Sequence, residues 1–213
     1  IATNFLPTPY TTTKVYYDGS PGLPIAGYPY PRPMPPFYPP AAPPDPPIAL
    51  ARQALLDGMN EGHLLVNYIG HGAPQQWAGE KLLRLEDIAS CHNGDTLPMM
   101  LPWPCRGGYF IFPHARLACL GESIVRAEEK GAIASWSPTG FGTCAGHHYL
   151  NRGFFTAVFQ DDVREIGAAA TQGKLYLWNN SGGPRSPHVD LMDTYVLFGD
   201  PAMPLNTLPA DVG

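Results

Sequence analysis

Residues 64–72 read LLVNYIGHG, and residues 97–110 read LPMMLPWPCRGGYF. Each stretch is an apolar run that ends in a loop of small residues, and short runs of this kind are typical of strands buried in a parallel sheet. Each loop also carries one residue capable of nucleophilic or acid–base chemistry, His71 in the first and Cys105 in the second. Because loops at the carboxyl ends of parallel strands face the same edge of a sheet, the two stretches predict a His–Cys pair at that edge.

The remaining pattern alternates helices with strands. Buried strands are predicted over 63–69, 98–103 and 132–136, and helices over 47–58, 82–89, 117–127, 150–159 and 166–178, with a last apolar segment over 193–203. Such alternation predicts an α/β sandwich with a mainly parallel sheet.

The amino-terminal part is rich in proline. Thirteen of the twenty-seven residues from Pro21 to Pro47 are proline, and three tyrosines and one phenylalanine are interspersed among them. Proline at this density excludes helix and central strand and favours polyproline II. We expect residues 1–47 to form an extended arm with a short β segment, TTTKVYYDG, and residues 48–213 to form the globular domain. The alternative is a flexible linker. The arm would pack on its own domain, on a second copy in a homo-oligomer, or on an upstream chain segment.

Composition excludes several partners. Only 15% of the residues are charged, the formal net charge is −5, and no cluster of Lys and Arg occurs. Nucleic acid is therefore not an expected partner. No apolar run reaches 18 residues, so no membrane span is expected. The chain begins with Ile and shows no signal-peptide pattern, which suggests a processed or truncated product.

The predicted chemistry is that of a thiol nucleophile. A Cys105 thiolate could attack a carbonyl carbon, with His71 as the base towards the thiol and the acid towards the leaving amine. The backbone N–H groups of Gly72 and Cys105 could stabilise the oxyanion. Trp136 and Phe141 follow the third strand and are candidate walls of a substrate pocket, although core packing is an equal alternative for Trp136. A buried cysteine can also be no more than a small core residue.

No metal or cofactor is expected. The other Cys and His residues lack the C-x-x-C and H-x-x-x-H spacings of zinc sites, and four cysteines are too few for a disulfide scaffold at this length. Cys119 and Cys144 are expected to be buried thiols.

Five motifs, spread over about residues 58–206, resemble peptidase family C25, the gingipain-like cysteine peptidases. In order they are GHG with Trp77, PWPCRGGYF, LGESIV, GAIASWSPTG and DTYVLFGDP. The resemblance implies the carboxyl-terminal portion of a catalytic domain with a caspase-like three-layer sandwich, a protein or peptide substrate, and an extracellular or cell-surface location. It assigns His71 as the catalytic histidine, Cys105 as the nucleophile and Gly72 as the oxyanion-hole glycine.

The sequence departs from that family at its amino-terminal end. Only about seventy residues precede His71, and no acidic residue occurs from Gly19 to Pro44, so the family's preference for arginine is not supported. Two functions follow. The first is a cysteine endopeptidase that acts through a Cys–His dyad and a thioester acyl-enzyme. The alternative is a non-catalytic gingipain-like domain that serves as a structural or assembly subunit through its proline-rich arm.

Overall fold

The computed structural model describes residues 6–7, 10–15, 46–111 and 118–207. The helices are α1 (Pro46–Asn60), α2 (Leu120–Arg126), α3 (Cys144–Phe159), α4 (Ile166–Asn180) and α5 (Leu191–Thr194), and the strands are β1 (Leu65–Tyr68), β2 (Gly72–Ala73), β3 (Gln76–Trp77), β4 (Leu83–Arg84), β5 (Met99–Pro102), β6 (Ala134–Pro138) and β7 (Tyr195–Phe198). Two 3₁₀ helices, Leu85–Ser90 and Gly183–Arg185, complete the described elements.

The main sheet has the strand order β1-β5-β6-β7. β1, β5 and β6 are parallel, and β7 pairs with β6 in the antiparallel sense. The apolar runs of β5 and β6 are buried along their whole length, as expected of parallel strands that are covered on both faces. The prediction of a mainly parallel sheet between helices is confirmed.

Two hydrophobic cores lie on opposite faces of this sheet. Because side chains alternate along a strand, Met99 and Leu101 of β5 enter one core and Met100 enters the other. The first core is built mainly with α3 and α4, and the second with α1, α2 and the residues of β3 and β4. The molecule therefore has three layers, with helices on both sides of the sheet.

The segment after β1 forms a small sheet of its own. β2, β3 and β4 pair as an antiparallel meander, with Gly72 opposite Trp77 and Trp77 opposite Leu83. The predicted helix over 82–89 is wrong in its first part. Leu83 and Arg84 extend as β4 because they pair with β3, and only Leu85–Ser90 is helical, as a 3₁₀ helix.

The structure corrects the expected position of β1, and most of the expected arm lies outside the described residues. β1 was expected to be a central strand, but it forms an edge of the described sheet, and β1 is only partly buried. Eleven of the thirteen prolines expected in the arm, with the aromatic residues among them, fall in 16–45, outside the described residues, whereas Pro46 and Pro47 begin α1. The expected β segment is not found in its described part, because Thr11 to Val15 are exposed without regular structure. No helix within the described ranges is long and apolar enough to cross a membrane.

Candidate active site

The register of the parallel strands brings the two predicted site loops to the same level. Tyr68 at the end of β1 pairs with Pro102 at the end of β5, and the N–H of Trp103 donates to the carbonyl of Tyr68 at 2.9 Å. His71 comes three residues after Tyr68, and Cys105 comes three residues after Pro102. The loops that carry these two residues therefore leave neighbouring strands at the same level of the sheet.

The backbone of the His71 loop is held by its neighbours. The Tyr68 hydroxyl and the N–H of Ala78 both donate to the carbonyl oxygen of His71, each at 2.7 Å. The ring of Tyr68 in turn stacks on Trp77, with centroids 4.4 Å apart and planes 3° from parallel. The His71 side chain itself is exposed. The loop is thus fixed through its main chain, while the imidazole faces solvent.

The two loops touch through Gly72 and Pro104. A Cβ placed on Gly72 would lie 2.6 Å from the Cβ of Pro104 and 3.0 Å from the carbonyl oxygen of Gln76. Any larger residue would force the loops apart, so the glycine permits the contact. The residues next to the predicted nucleophile and the predicted histidine are therefore in direct contact.

Cys105 lies half-buried in a tight turn. Its thiol donates to the carbonyl of Gly142, with 3.8 Å between Sγ and the oxygen. The turn is anchored on the end of β6 and on the segment that follows it. The N–H of Gly108 donates to the carbonyl of Pro138 at 2.8 Å, and that of Arg106 donates to the carbonyl of Gly140 at 2.9 Å. Within the part of the chain that is described, the N–H of Cys105 donates to no acceptor. A free backbone donor beside a thiol is one requirement of an oxyanion hole.

Buried rings pack together close to Cys105, and we call this cluster the floor of the site. Tyr195 is 1% exposed, and its ring centroid lies 5.4 Å from that of Trp103 and 5.6 Å from that of His147. Burial raises the pKa of Tyr195 well above its usual value, and the charge that Cys105 can carry raises it further. Burial also lowers the pKa of His147 to about 4, an effect that His188 reinforces and Asp190 opposes. The floor is therefore uncharged at neutral pH.

The two predicted pocket walls have different environments. Phe141 is 67% exposed, and the guanidinium carbon of Arg106 lies 4.8 Å from its ring centroid. Trp136 is 1% exposed and packs in the core against Phe154 and Tyr195. The expectation that Trp136 lines a pocket is corrected, because β6 is covered on both faces and the indole points into the core.

The other described Cys and His residues lie in different environments. All four cysteines lie outside disulfide bonds, and Cys144 is exposed, contrary to the expected buried thiol, because it lies in the first turn of α3. Among the described residues, no three potential metal ligands come together. An open depression of about 570 Å³, lined by residues that include Leu85, Ile88 and Lys130, shares no residue with the loops of His71 and Cys105.

Three residues at the site escape prediction from sequence. Tyr195 and His147 lie far from Cys105 along the chain, and only the packing of β7 and α3 brings them close to it. Arg106 directly follows Cys105 in the sequence, and this adjacency to the predicted nucleophile could have identified it as a site residue. Its contact with Phe141, however, depends on a loop thirty-five residues further along the chain.

The fold and this pairing of loops define a class of protein, the α/β proteins with a caspase-like fold. The model of peptidase family C25 matches residues 1–206, and the chain belongs to that family. Gingipain R2 of Porphyromonas gingivalis is 25% identical over 168 residues, which are 72% of this chain and 21% of that protein. Gingipain R1 of the same organism is also 25% identical, with 16% of its length covered.

Solved structures agree on the fold. The Arg-specific cysteine proteinase gingipain R superposes with a TM-score of 0.66 at 24% identity, over 74% of this chain and 37% of that one. The complex of the pro- and mature domains of RgpB from Porphyromonas gingivalis gives a TM-score of 0.65 at 22% identity, over the same shares. The chain thus spans about a fifth of the length of the gingipain R2 sequence that it matches.

Proposed function

We propose that this chain carries the nucleophile and the acid–base group of a cysteine endopeptidase, with Cys105 and His71 as the dyad. The observation that carries the proposal is the contact between Gly72 and Pro104, which joins the two loops beside these residues. Membership of peptidase family C25 supports the same chemistry.

The reaction follows from the groups at the site. The Cys105 sulfur attacks the carbonyl carbon of a peptide bond while His71 accepts the thiol proton. The N–H groups of Cys105 and Gly72 donate to the oxyanion of the tetrahedral intermediate. His71 then returns the proton to the leaving amine, and the C–N bond breaks to leave a thioester on Cys105. Water, deprotonated by His71, hydrolyses the thioester and releases the new carboxylate.

The shape of the site supports access by a polypeptide. His71 and Phe141 are exposed, and Cys105 is half-buried. Extended substrates bind at the carboxyl edge of such a sheet. Protein or peptide substrates at an extracellular or cell-surface location are part of the proposal, by similarity to the gingipains.

A comparison of two cysteines tests the proposal. The protein is treated with a peptidyl electrophile and the labelled residues are mapped by mass spectrometry, with hydrolysis of a mixed peptide library followed in parallel. We expect Cys105 to be labelled at least tenfold faster than Cys144, the exposed thiol that serves as the internal control. His71→Ala should remove that advantage, and Cys105→Ala should abolish cleavage. Equal labelling of the two thiols, with no cleavage of the library, would refute the proposed dyad.

A further inference from the structure

An arginine directly follows the proposed nucleophile in an unusual backbone conformation. Arg106 has φ +56°, in the left-handed region that residues other than glycine rarely adopt. Its N–H is held by the carbonyl of Gly140, so the turn fixes the direction in which the side chain leaves. The guanidinium then lies over the ring of Phe141. The positive charge is thereby kept on Phe141, whose neighbour Gly142 accepts the hydrogen bond from the Cys105 thiol.

This guanidinium has no carboxylate partner among the described residues. Four other arginines in that part of the chain form ion pairs, namely Arg52, Arg84, Arg126 and Arg164. Arg106 is half-buried, and its Nε is fully shielded from solvent without a hydrogen-bond acceptor. A shielded Nε without an acceptor is unfavourable, and a carboxylate that accepts from Nε and a neighbouring N–H of the guanidinium removes that cost.

The neighbours of Arg106 form one wall of the proposed active site. Phe141 is exposed, and Gly142, the next residue, accepts the hydrogen bond from the Cys105 thiol. The charged group, the aromatic ring and the sulfur therefore lie along one short stretch of surface. A substrate side chain next to the bond that Cys105 attacks would reach the guanidinium and the ring together.

We propose that Arg106 and Phe141 form a binding subsite for an acidic side chain, aspartate or glutamate, immediately beside the scissile bond. The guanidinium binds the carboxylate in bidentate fashion, and Phe141 covers the methylene groups of the substrate side chain and holds the guanidinium plane in place. The inference rests on the proposed peptidase function and names the substrate class for it. This specificity would be opposite in charge to that of the Arg-specific gingipain R.

Matched peptides test the specificity. The peptides differ only in a residue that adjoins the scissile bond, on one side of it or the other. Asp is compared with Asn in one series and Glu with Gln in the second. The value of kcat/KM is measured for each peptide. We expect the acidic peptide to be preferred about 30-fold, as for one charge-assisted hydrogen bond. Arg106→Gln should reduce the acid-to-amide ratio by the same factor. Arg126→Gln is the control, because Arg126 is exposed and paired with Glu122, and it should leave the ratio unchanged.

Binding without turnover separates the failure of this inference from the failure of the peptidase. The same peptides, carrying a fluorophore, are titrated by anisotropy into Cys105→Ala and into Cys105→Ala with Arg106→Gln. Tighter binding of the acidic peptides that disappears with Arg106→Gln supports the subsite even if the native protein cleaves nothing. Equal affinity for acidic and amide peptides overturns the subsite, even if Cys105 is labelled and active. An equal loss of kcat/KM for both peptide series in Arg106→Gln would also overturn it, because Arg106 would then act on the thiol.

Discussion

Gly72 lies against Pro104, at a distance that leaves no room for a Cβ between them. Each residue adjoins one member of the proposed dyad, so this single contact sets how closely the two loops approach. The proline is rigid and the strand β2 is paired with β3, so neither side can easily give way. The separation of His71 from Cys105 is therefore controlled by a glycine.

Gly72→Ala should impair activity much more than Gly107→Ala. Both new methyl groups would face Pro104, but the one on Gly72 would lie 2.6 Å from its Cβ and the one on Gly107 would lie 3.5 Å from its Cγ, an ordinary contact. We expect Gly72→Ala to lower kcat/KM by about 100-fold, because a displacement of about 1 Å at an active site has that effect. Gly107→Ala should stay within a few fold of the native protein. Similar kinetics for the two variants would show that the contact does not position the dyad.

Asp87 should be an anchor for the segment that follows His71. Its carboxylate is buried, accepts from the backbone N–H of Arg84 at 2.9 Å, and forms ion pairs with Arg84 at 2.8 Å and with Arg52 of α1 at 3.5 Å. Asp87→Ala leaves two guanidinium groups without this partner, and we expect the free energy of unfolding to fall by about 2 kcal/mol. This is less than the full cost of breaking a buried ion pair, because Arg84 is partly exposed. The measurement is urea denaturation. Glu122→Ala, which breaks an exposed pair with Arg126, should cost less than about 0.5 kcal/mol.

His147 should make stability depend on pH. Burial lowers its pKa from 6.5 to about 4 in the folded protein, so between these values the unfolded chain binds a proton that the folded protein does not. Stability is therefore complete above pH 6.5 and falls as the pH is lowered towards 4, by about 2 kcal/mol between pH 7 and pH 5. His147→Leu should remove most of this difference in urea denaturation at the two pH values.

The neighbouring exposed residue provides the control for that experiment. His148→Leu makes the same change in composition at a position whose ring is exposed. It should retain the pH dependence of the native protein. If His147→Leu and His148→Leu behave alike, burial of His147 is not the source of the effect.

Two glycine-to-alanine changes should shift stability in opposite directions. A Cβ on Gly173 of α4 would lie 2.6 Å from the Trp136 ring and 3.0 Å from the Leu150 carbonyl, so Gly173→Ala should destabilise the protein by about 1–3 kcal/mol. A Cβ on Gly58 of α1 would come no closer than 3.5 Å to the His63 ring, and Gly58→Ala should stabilise by up to about 1 kcal/mol. Thermal unfolding of both variants checks the sign, and destabilisation by both would mean that α1 tolerates no side chain there.

The architecture was predictable because it follows local signals. Continuous apolar runs predict β1 and β5, and helical spacing predicts α4, close to their observed bounds. Helical spacing also predicts α3, but the helix begins at Cys144, six residues before the predicted start at Leu150. The prediction of a helix over 82–89 is wrong in its first part because pairing with β3 outweighs the helical tendency of Leu83 and Arg84. The prediction that β1 is a central strand is wrong for the described sheet, because periodicity does not reveal how many strands lie beside a given strand.

The site was predictable only as far as neighbouring strands determine it. The adjacency of the His71 and Cys105 loops follows from parallel pairing, and the structure shows it through Gly72 and Pro104. The burial of Trp136 and the placement of Tyr195 close to Cys105 depend on how α3, α4 and β7 pack, and no sequence pattern encodes those distances.

The pairing of β1 with β5 has a practical consequence for protein engineering. The contact between the His71 and Cys105 loops is created by strand pairing and not by the segment of chain that connects them. The chain can therefore be cut in that segment where it is exposed, between Gly94 and Asp95. Two fragments cut there would each carry one half of the proposed dyad, and their association through the sheet would rebuild the site. Recovery of the proposed peptidase activity on association would then measure the proximity of two partners fused to the fragments.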